Sequence, residues 1–153
     1  MSIHGWEIVE EARKWLGVPY KFGAEVVSEN DMPFGDPYKK GWDCSEFIEF
    51  LLVKLGYKAL TGEHFPDGSY NQLAYCKSKA TLISIEKAHS TPGALIFLRG
   101  GTSGQISHVA LTSGQNTTIE ARGKDFGTGE WPWRDSRWSE AALIPGVTYS
   151  KSV

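Results

Sequence analysis

The residue that invites a chemical question is Cys44, set between an aspartate and a serine in "KKGWDCSEFIEFLLVKLGY" (39–57), where a loop gives way to a helical pattern. A thiol at a helix N-terminus meets unpaired backbone N–H groups and the positive end of the helix dipole. Both favour the thiolate, and the same N–H groups can hold an oxyanion. Such a nucleophile needs a base, and the base needs a third polar group to orient it. Of the four histidines, His4 lies at the terminus and His64 and His89 lie in polar loops, whereas His108 opens the strand-like "SHVALT". The next strand-like run, "NTTIEARG" (116–123), holds Glu120, the single carboxylate within that pair of strands. If the two runs pair across Gly114 to Asn116, Glu120 falls near His108, where a carboxylate can orient an imidazole. Each residue alone has a plainer reading: a structural thiol, a satisfied strand histidine, a solvated strand charge. Cys44, Cys76, His64 and His108 lack the close-paired spacing of zinc ligands, so no metal is expected, nor a cofactor.

The elements that must position these residues follow from periodicity. Trp6 to Leu16 reads as an amphipathic helix with Ile8, Ala12, Trp15 and Leu16 on one side, stopped by Gly17 and Pro19. Residues 17–41 carry no period, and their aromatics, Tyr20, Phe22, Phe34 and Tyr38, argue for an ordered functional loop. Phe47, Ile48, Leu51, Leu52 and Leu55 form the apolar stripe of a second helix. Asp43 is its N-cap, Glu46 stands at the capping-box position, and Gly56 ends it. A third helix is expected from Asp67 or Ser69 to Cys76, with Tyr70, Leu73 and Ala74 on one side. Strands are expected at 94–98, 107–114 and 116–123, with a short one around 141–144. The run 124–138 reads as an irregular loop whose Trp131, Trp133 and Trp138 serve packing ahead of sugar binding. Helices first and antiparallel strands second make an α+β fold.

Composition bounds the rest. The chain has 153 residues, which predicts one domain, 1–153. Its formal net charge of −2 gives no footprint for nucleic acid or an anionic membrane surface. No apolar run approaches the ~18 residues of a bilayer span, so no stable membrane association is expected. "MSIHGWEIVEEARKW" lacks a basic start and a continuous apolar segment, so cytoplasmic synthesis without a signal peptide is expected. Two cysteines without CxxC spacing predict two free thiols, and a monomer is expected.

Four motifs in order carry a resemblance. "ARKWLGVPYKFG" (12–23) is similar to A-x-x-x-x-G-x-P-Y-x-x-G, "DCSEF" (43–47) to D-C-S-G-[FL], "TPGALIF" (91–97) to P-G-D-L-x-F, and "SHVAL" (107–111) to G-H-V-G-[IL]. Together they resemble the NlpC/P60 family of papain-like cysteine peptidases, which cut peptide bonds in bacterial peptidoglycan. The resemblance implies a papain-like fold with the nucleophile at a helix N-terminus packed on a C-terminal antiparallel sheet. It implies Cys44 as nucleophile, His108 as general base and Glu120, aligned with the family's His, Asn or Gln, as third polar residue. It also implies Tyr20 beside the thiol, and Asp43 and Ser45 as substrate contacts. The implied substrate is the peptide stem of peptidoglycan, cut between D-glutamate and diaminopimelate or its lysine counterpart. This chain departs from the pattern at Glu46 (usually Gly), at Ala94 (usually Asp), at Glu120 and in a longer insertion over 25–40. Without an export signal, the resemblance points to a phage endolysin or tail-associated lysin, acting on the wall after release or delivery. Two other classes fit the same residues: an acyltransferase or deamidating toxin with the same Cys-His pair, and a non-catalytic phage structural domain.

Overall fold

The computed structural model describes residues 1–27, 35–100, 104–135 and 137–149. Six helices and six strands follow one another as α1 (Gly5–Arg13), α2 (Pro37–Lys40), α3 (Cys44–Lys54), α4 (Tyr57–Thr61), α5 (Ser69–Ser78), β1 (Leu82–Ile83), α6 (Ile85–His89), β2 (Leu95–Gly100), β3 (Gln105–Thr112), β4 (Thr117–Ala121), β5 (Thr128–Pro132) and β6 (Glu140–Ala142). The strands form one antiparallel sheet in the order β1-β6-β2-β3-β4-β5, giving the expected α+β arrangement.

Helix α3 is the centre of the molecule. The stripe expected on one face understates its burial, because every residue from Cys44 to Leu52 is buried, Glu46 and Glu49 included. Phe47, Ile48 and Leu51 have no exposed surface and pack with Trp42, Leu95, Phe97, Val109, Leu111 and Ile119 in one core. Burying side chains of this size stabilises by roughly 1.5–3 kcal/mol each, which fixes α3 against the sheet and Cys44 with it. A smaller cluster formed by Ala88, Ala94, Ile96, Ala110, Trp138 and Ala141 packs separately.

Several expected bounds shift. Helix α1 ends at Arg13 rather than Leu16, because the chain turns so that Gly17 N–H can bond the Thr128 carbonyl at 2.8 Å. Helix α5 buries Gln72, Leu73 and Cys76, while Tyr70 and Ala74 are exposed, so its inner face is not the one the apolar residues suggested. The short α2, α4, α6 and β1 carry too few residues for a period to show.

The larger correction concerns 124–138, which contains a strand. Here β5 pairs with β4 from Thr117↔Pro132 to Ala121↔Thr128. The sequence "TGEWP" hides it because Gly129 breaks the pattern and Pro132 suits only an edge, where β5 sits. A side chain at Gly129 would collide with the Trp131 indole at 2.8 Å, so that ring covers the glycine. The Trp-rich run is otherwise packing, as expected: Trp133 meets His89 edge-on, and Arg122 lies over Phe126 and Trp131.

The β3–β4 turn has the anticipated place. Leu111 pairs with Ile119 and Thr112 with Thr118, while Gly114 (φ 77°) and Asn116 (φ 67°) take left-handed conformations between them. Between β2 and β3 the register slips, with Leu98 opposite His108 but Arg99 opposite Ile106. Ser107 is thus the extra residue of a bulge beside His108, the kind of irregularity that re-aims side chains.

Residues 28–34, which include Phe34 and much of the 25–40 insertion, lie outside the described residues. The rest of the loop is held. Tyr20 bridges Trp42 in parallel, Lys21 N–H donates to the Trp42 carbonyl at 3.0 Å, and the Tyr38 hydroxyl donates to the Leu16 carbonyl at 3.1 Å. No described helix is long and apolar enough to cross a membrane.

Candidate active site

Asp43 caps α3 and places Cys44 in its first turn. Its Oδ1 accepts from the Glu46 N–H at 2.9 Å and from the Ser45 hydroxyl at 3.0 Å, and its Oδ2 accepts from the Gly23 N–H at 3.4 Å. The cap therefore ties the helix to the loop that carries Tyr20. Gln72 on α5 adds a second tie, donating to the Ser45 and Pro66 carbonyls at 3.0 and 2.9 Å.

The expected capping box is half made. The Glu46 side chain does not return to the Asp43 backbone. It accepts instead from the N–H groups of Val26 and Val27 at 2.5 and 3.3 Å. The residue that stands where the family pattern has glycine thus pins the start of the insertion to α3.

Cys44, His108 and Glu120 converge. His108 Nε2 lies 2.9 Å from Glu120 Oε1, and Cys44 is close enough to the ring to shift its protonation. Burial alone would favour a neutral ring, but Cys44 and Glu120 outweigh it and lift His108 to about 9. Burial likewise opposes ionisation of Glu120, yet the bonds from His108 and Thr118 and the charge of Arg134 bring it down to about 2. The Trp138 ring stacks on His108 with centroids 6.2 Å apart at 21°.

Three contributors here were not anticipated. Thr118 Oγ1 donates to Glu120 Oε2 at 2.5 Å, and Arg134 Nη2 reaches both carboxylate oxygens at 2.8 and 3.0 Å. Thr118 was findable, because a residue two positions from Glu120 on a strand shares its face. Arg134 and Trp138 lie in the run without period, and nothing in their spacing links them to β3.

The two thiols, both free, differ sharply. Cys76 is fully buried and pushed up to about 12 by burial. Cys44 is 6% exposed at the floor of a cleft of about 480 Å³ lined by Tyr20, Phe22, Asp67, Tyr70 and Ser107. Tyr20 is pushed up to about 12 by burial and then by the charges of Cys44 and Asp43, so its hydroxyl stays a donor. Asp43 and Ser45 line the same cleft while bonded to each other.

Behind the cleft floor is an acidic group. Glu46, Glu49 and Asp67 bring carboxylate oxygens within 4.8 Å of one another, the one grouping among the described residues whose spacing suits a metal ion. Burial first, then contact with Glu46 and Asp67, raises Glu49 far above the carboxylate range. A proton on Glu49 accordingly neutralises charge there. His64 Nε2 lies 2.7 Å from Glu49 Oε1.

Fold and site define a class: an α+β protein with a thiol at a helix N-terminus, an imidazole on a strand, and a carboxylate behind it. Residues 17–144 match the NlpC/P60 family, and the chain belongs to it. Among curated relatives, Protein P54 of Enterococcus faecium is 29% identical over 134 residues, 86% of this chain and 21% of that protein. The gamma-DL-glutamyl hydrolase of Bacillus subtilis (strain 168) is 25% identical over 114 residues, 74% of this chain and 22% of that protein. The chain therefore spans about a fifth of each relative's length. Among solved structures, the NlpC/p60 domain of the peptidoglycan hydrolase SagA superposes with a TM-score of 0.66 at 25% identity, covering 93% of this chain and 100% of that domain.

Proposed function

We propose that this chain hydrolyses an amide bond in the peptide stems of bacterial peptidoglycan, with Cys44 as nucleophile, His108 as general acid and base, and Glu120 as the group that orients His108. The observation that carries this reading is the hydrogen bond from His108 Nε2 to Glu120 Oε1 at 2.9 Å, in a ring whose protonation also responds to Cys44 at the start of α3. The Cys44 thiolate attacks the scissile carbonyl carbon, and the resulting oxyanion meets the N–H groups at the start of α3 and the Tyr20 hydroxyl. The His108 imidazolium gives its proton to the leaving nitrogen as the C–N bond breaks, which leaves a thioester on Cys44. Water then attacks the thioester, His108 takes its proton, and the second oxyanion collapses to release the acid and the thiolate. The name of the Bacillus subtilis relative, a gamma-DL-glutamyl hydrolase, supports a γ-glutamyl linkage as the bond cut, and that of SagA, a peptidoglycan hydrolase, supports peptidoglycan as the substrate.

Purified peptidoglycan digested with the wild type and with Cys44→Ala, read by mass spectrometry, tests this. New peptide fragments from the wild type alone, with a free γ-D-glutamyl carboxyl, are the expected result. Fragments from Cys44→Ala at the wild-type rate would remove the thiol from the mechanism. An amine-transfer product in place of the acid would turn the reading to an acyltransferase.

A further inference from the structure

We infer that Arg134 is a positioning residue of this site: its Nη2, bonded to both oxygens of Glu120 at 2.8 and 3.0 Å, holds that carboxylate ionised and aimed at His108. The inference rests on the hydrolytic reading above and adds to it a residue outside the three-member relay.

The bonding of Arg134 is unusual for an arginine that merely braces a loop. A guanidinium carries five N–H donors in a fixed fork and no acceptor. Here Nη2 serves Glu120 alone, while Nε and Nη1 are buried with no hydrogen-bond partner among the described residues. Buried N–H groups without partners are costly. What the protein gains in return is a positive charge beside Glu120, whose side chain has no exposed surface of its own.

The surroundings of Glu120 are saturated by this arrangement. Oε1 takes His108 and Arg134, and Oε2 takes Thr118 and Arg134, so both oxygens are used and the carboxylate cannot rotate without losing bonds. The guanidinium also lies over the Trp138 ring at 5.2 Å, and that ring stacks on His108. Asp135 follows Arg134 and lines a pocket with Trp138, and two further cations lie near. Arg122 feels Glu120 and Arg134, and Arg137 lies over the Trp138 indole at 5.9 Å. On the far side His108 meets Cys44, near Tyr20 and Asp43. Without Arg134, the one cation bonded to Glu120 is His108 itself, and the buried carboxylate takes up a proton at higher pH. A protonated Glu120 no longer anchors the imidazolium, and the thiolate loses its partner.

The test is the pH profile of iodoacetamide alkylation of Cys44, with Cys76 as internal reference, in the wild type, Arg134→Gln, Arg134→Lys, Glu120→Gln and the double variant Glu120→Gln/Arg134→Gln. Arg134→Gln should move the acid limb of the profile up by about one pH unit, the shift expected on losing one opposite charge at this range. Arg134→Lys, which keeps the charge and needs one nitrogen, should restore it. In the Glu120→Gln background the second substitution should change nothing, because Arg134 acts through Glu120. A folded Arg134→Gln whose profile superposes on the wild type overturns the inference, and so does an equal shift in the Glu120→Gln background. Should Arg134→Gln fail to fold, Arg134→Lys and the double variant decide: a displaced Arg134→Lys profile sinks the inference, an unchanged one supports it. If wild-type Cys44 reacts no faster than Cys76, the hydrolytic reading itself fails, an outcome separate from the failure of Arg134.

Discussion

Two buried glutamates, Glu120 on β4 and Glu49 on α3, stand in opposite states. Both are removed from water, at 0% and 4% exposure, and burial raises the pKa of each. Glu120 faces an imidazolium, a guanidinium and a hydroxyl, which together hold it ionised near 2. Glu49 faces two carboxylates and the His64 ring, and it holds a proton. Burial sets what a carboxylate costs, and the neighbours decide how that cost is met. On the proposed reading, one glutamate orients a charged base. The other is a neutral strut beneath the cleft, beside the Glu46 carboxylate that pins Val26 and Val27.

The largest expected effect comes from neutralising the charged member. Glu120→Gln keeps the shape but not the charge, and peptidoglycan hydrolysis should fall by about 10²-fold or more, within the range for disabling a general base. Glu49→Gln should leave the rate within about twofold, because it replaces a neutral acid with a neutral amide. Steady-state rates on the same substrate compare them, and equal losses would erase the distinction.

Stability should separate the pair with the opposite sign. A buried acid that stays protonated favours the unfolded chain once the unfolded carboxyl ionises, so Glu49 weakens the fold as pH rises above the ordinary carboxylate value. Glu49→Gln should therefore raise stability by roughly 1–3 kcal/mol near neutral pH and do nothing in acid. Glu120 behaves in reverse: its contribution is present above the ordinary carboxylate value and lost as pH falls toward about 2. His108 adds stability below its ordinary value, lost as pH rises through about 9. Denaturant titrations of wild type and Glu49→Gln across pH check these signs. A destabilised Glu49→Gln at neutral pH would show that Glu49 works as an anion.

The smallest expected effect belongs to the cap of α3, the helix that carries Glu49. Asp43→Ala should cost about 0.5–2 kcal/mol, the usual worth of an N-cap, seen as a lower urea midpoint with unchanged slope. A larger loss would mean that the bond to Gly23, and with it the Tyr20 loop, contributes more than its 3.4 Å length suggests.

The contrast also shows what a sequence can reveal. Cys44, His108 and Glu120 were legible because each sits in a strongly periodic element, and period fixes which side chains share a face. The α3 stripe and the Asp43 cap were legible for the same reason. The role of Glu46 was not, since a capping-box spacing says where a side chain could turn, and the chain at Val26 offered it two better donors. Arg134 and β5 were hidden because Gly129 and Pro132 erase alternation at a sheet edge. Nothing in the sequence singles out Glu49, whose burial becomes visible only when α5 and the segment around Asp67 pack against α3.

The most direct test of the account is the protonation of the His108 ring, read by nitrogen and carbon NMR shifts of labelled protein across pH in the wild type and in Glu120→Gln. The account predicts a doubly protonated imidazolium that persists through neutral pH and titrates near 9 in the wild type, and at clearly lower pH in the variant. A wild-type ring already neutral at neutral pH would contradict it, because no ionised carboxylate would then be holding a charged partner for the thiol.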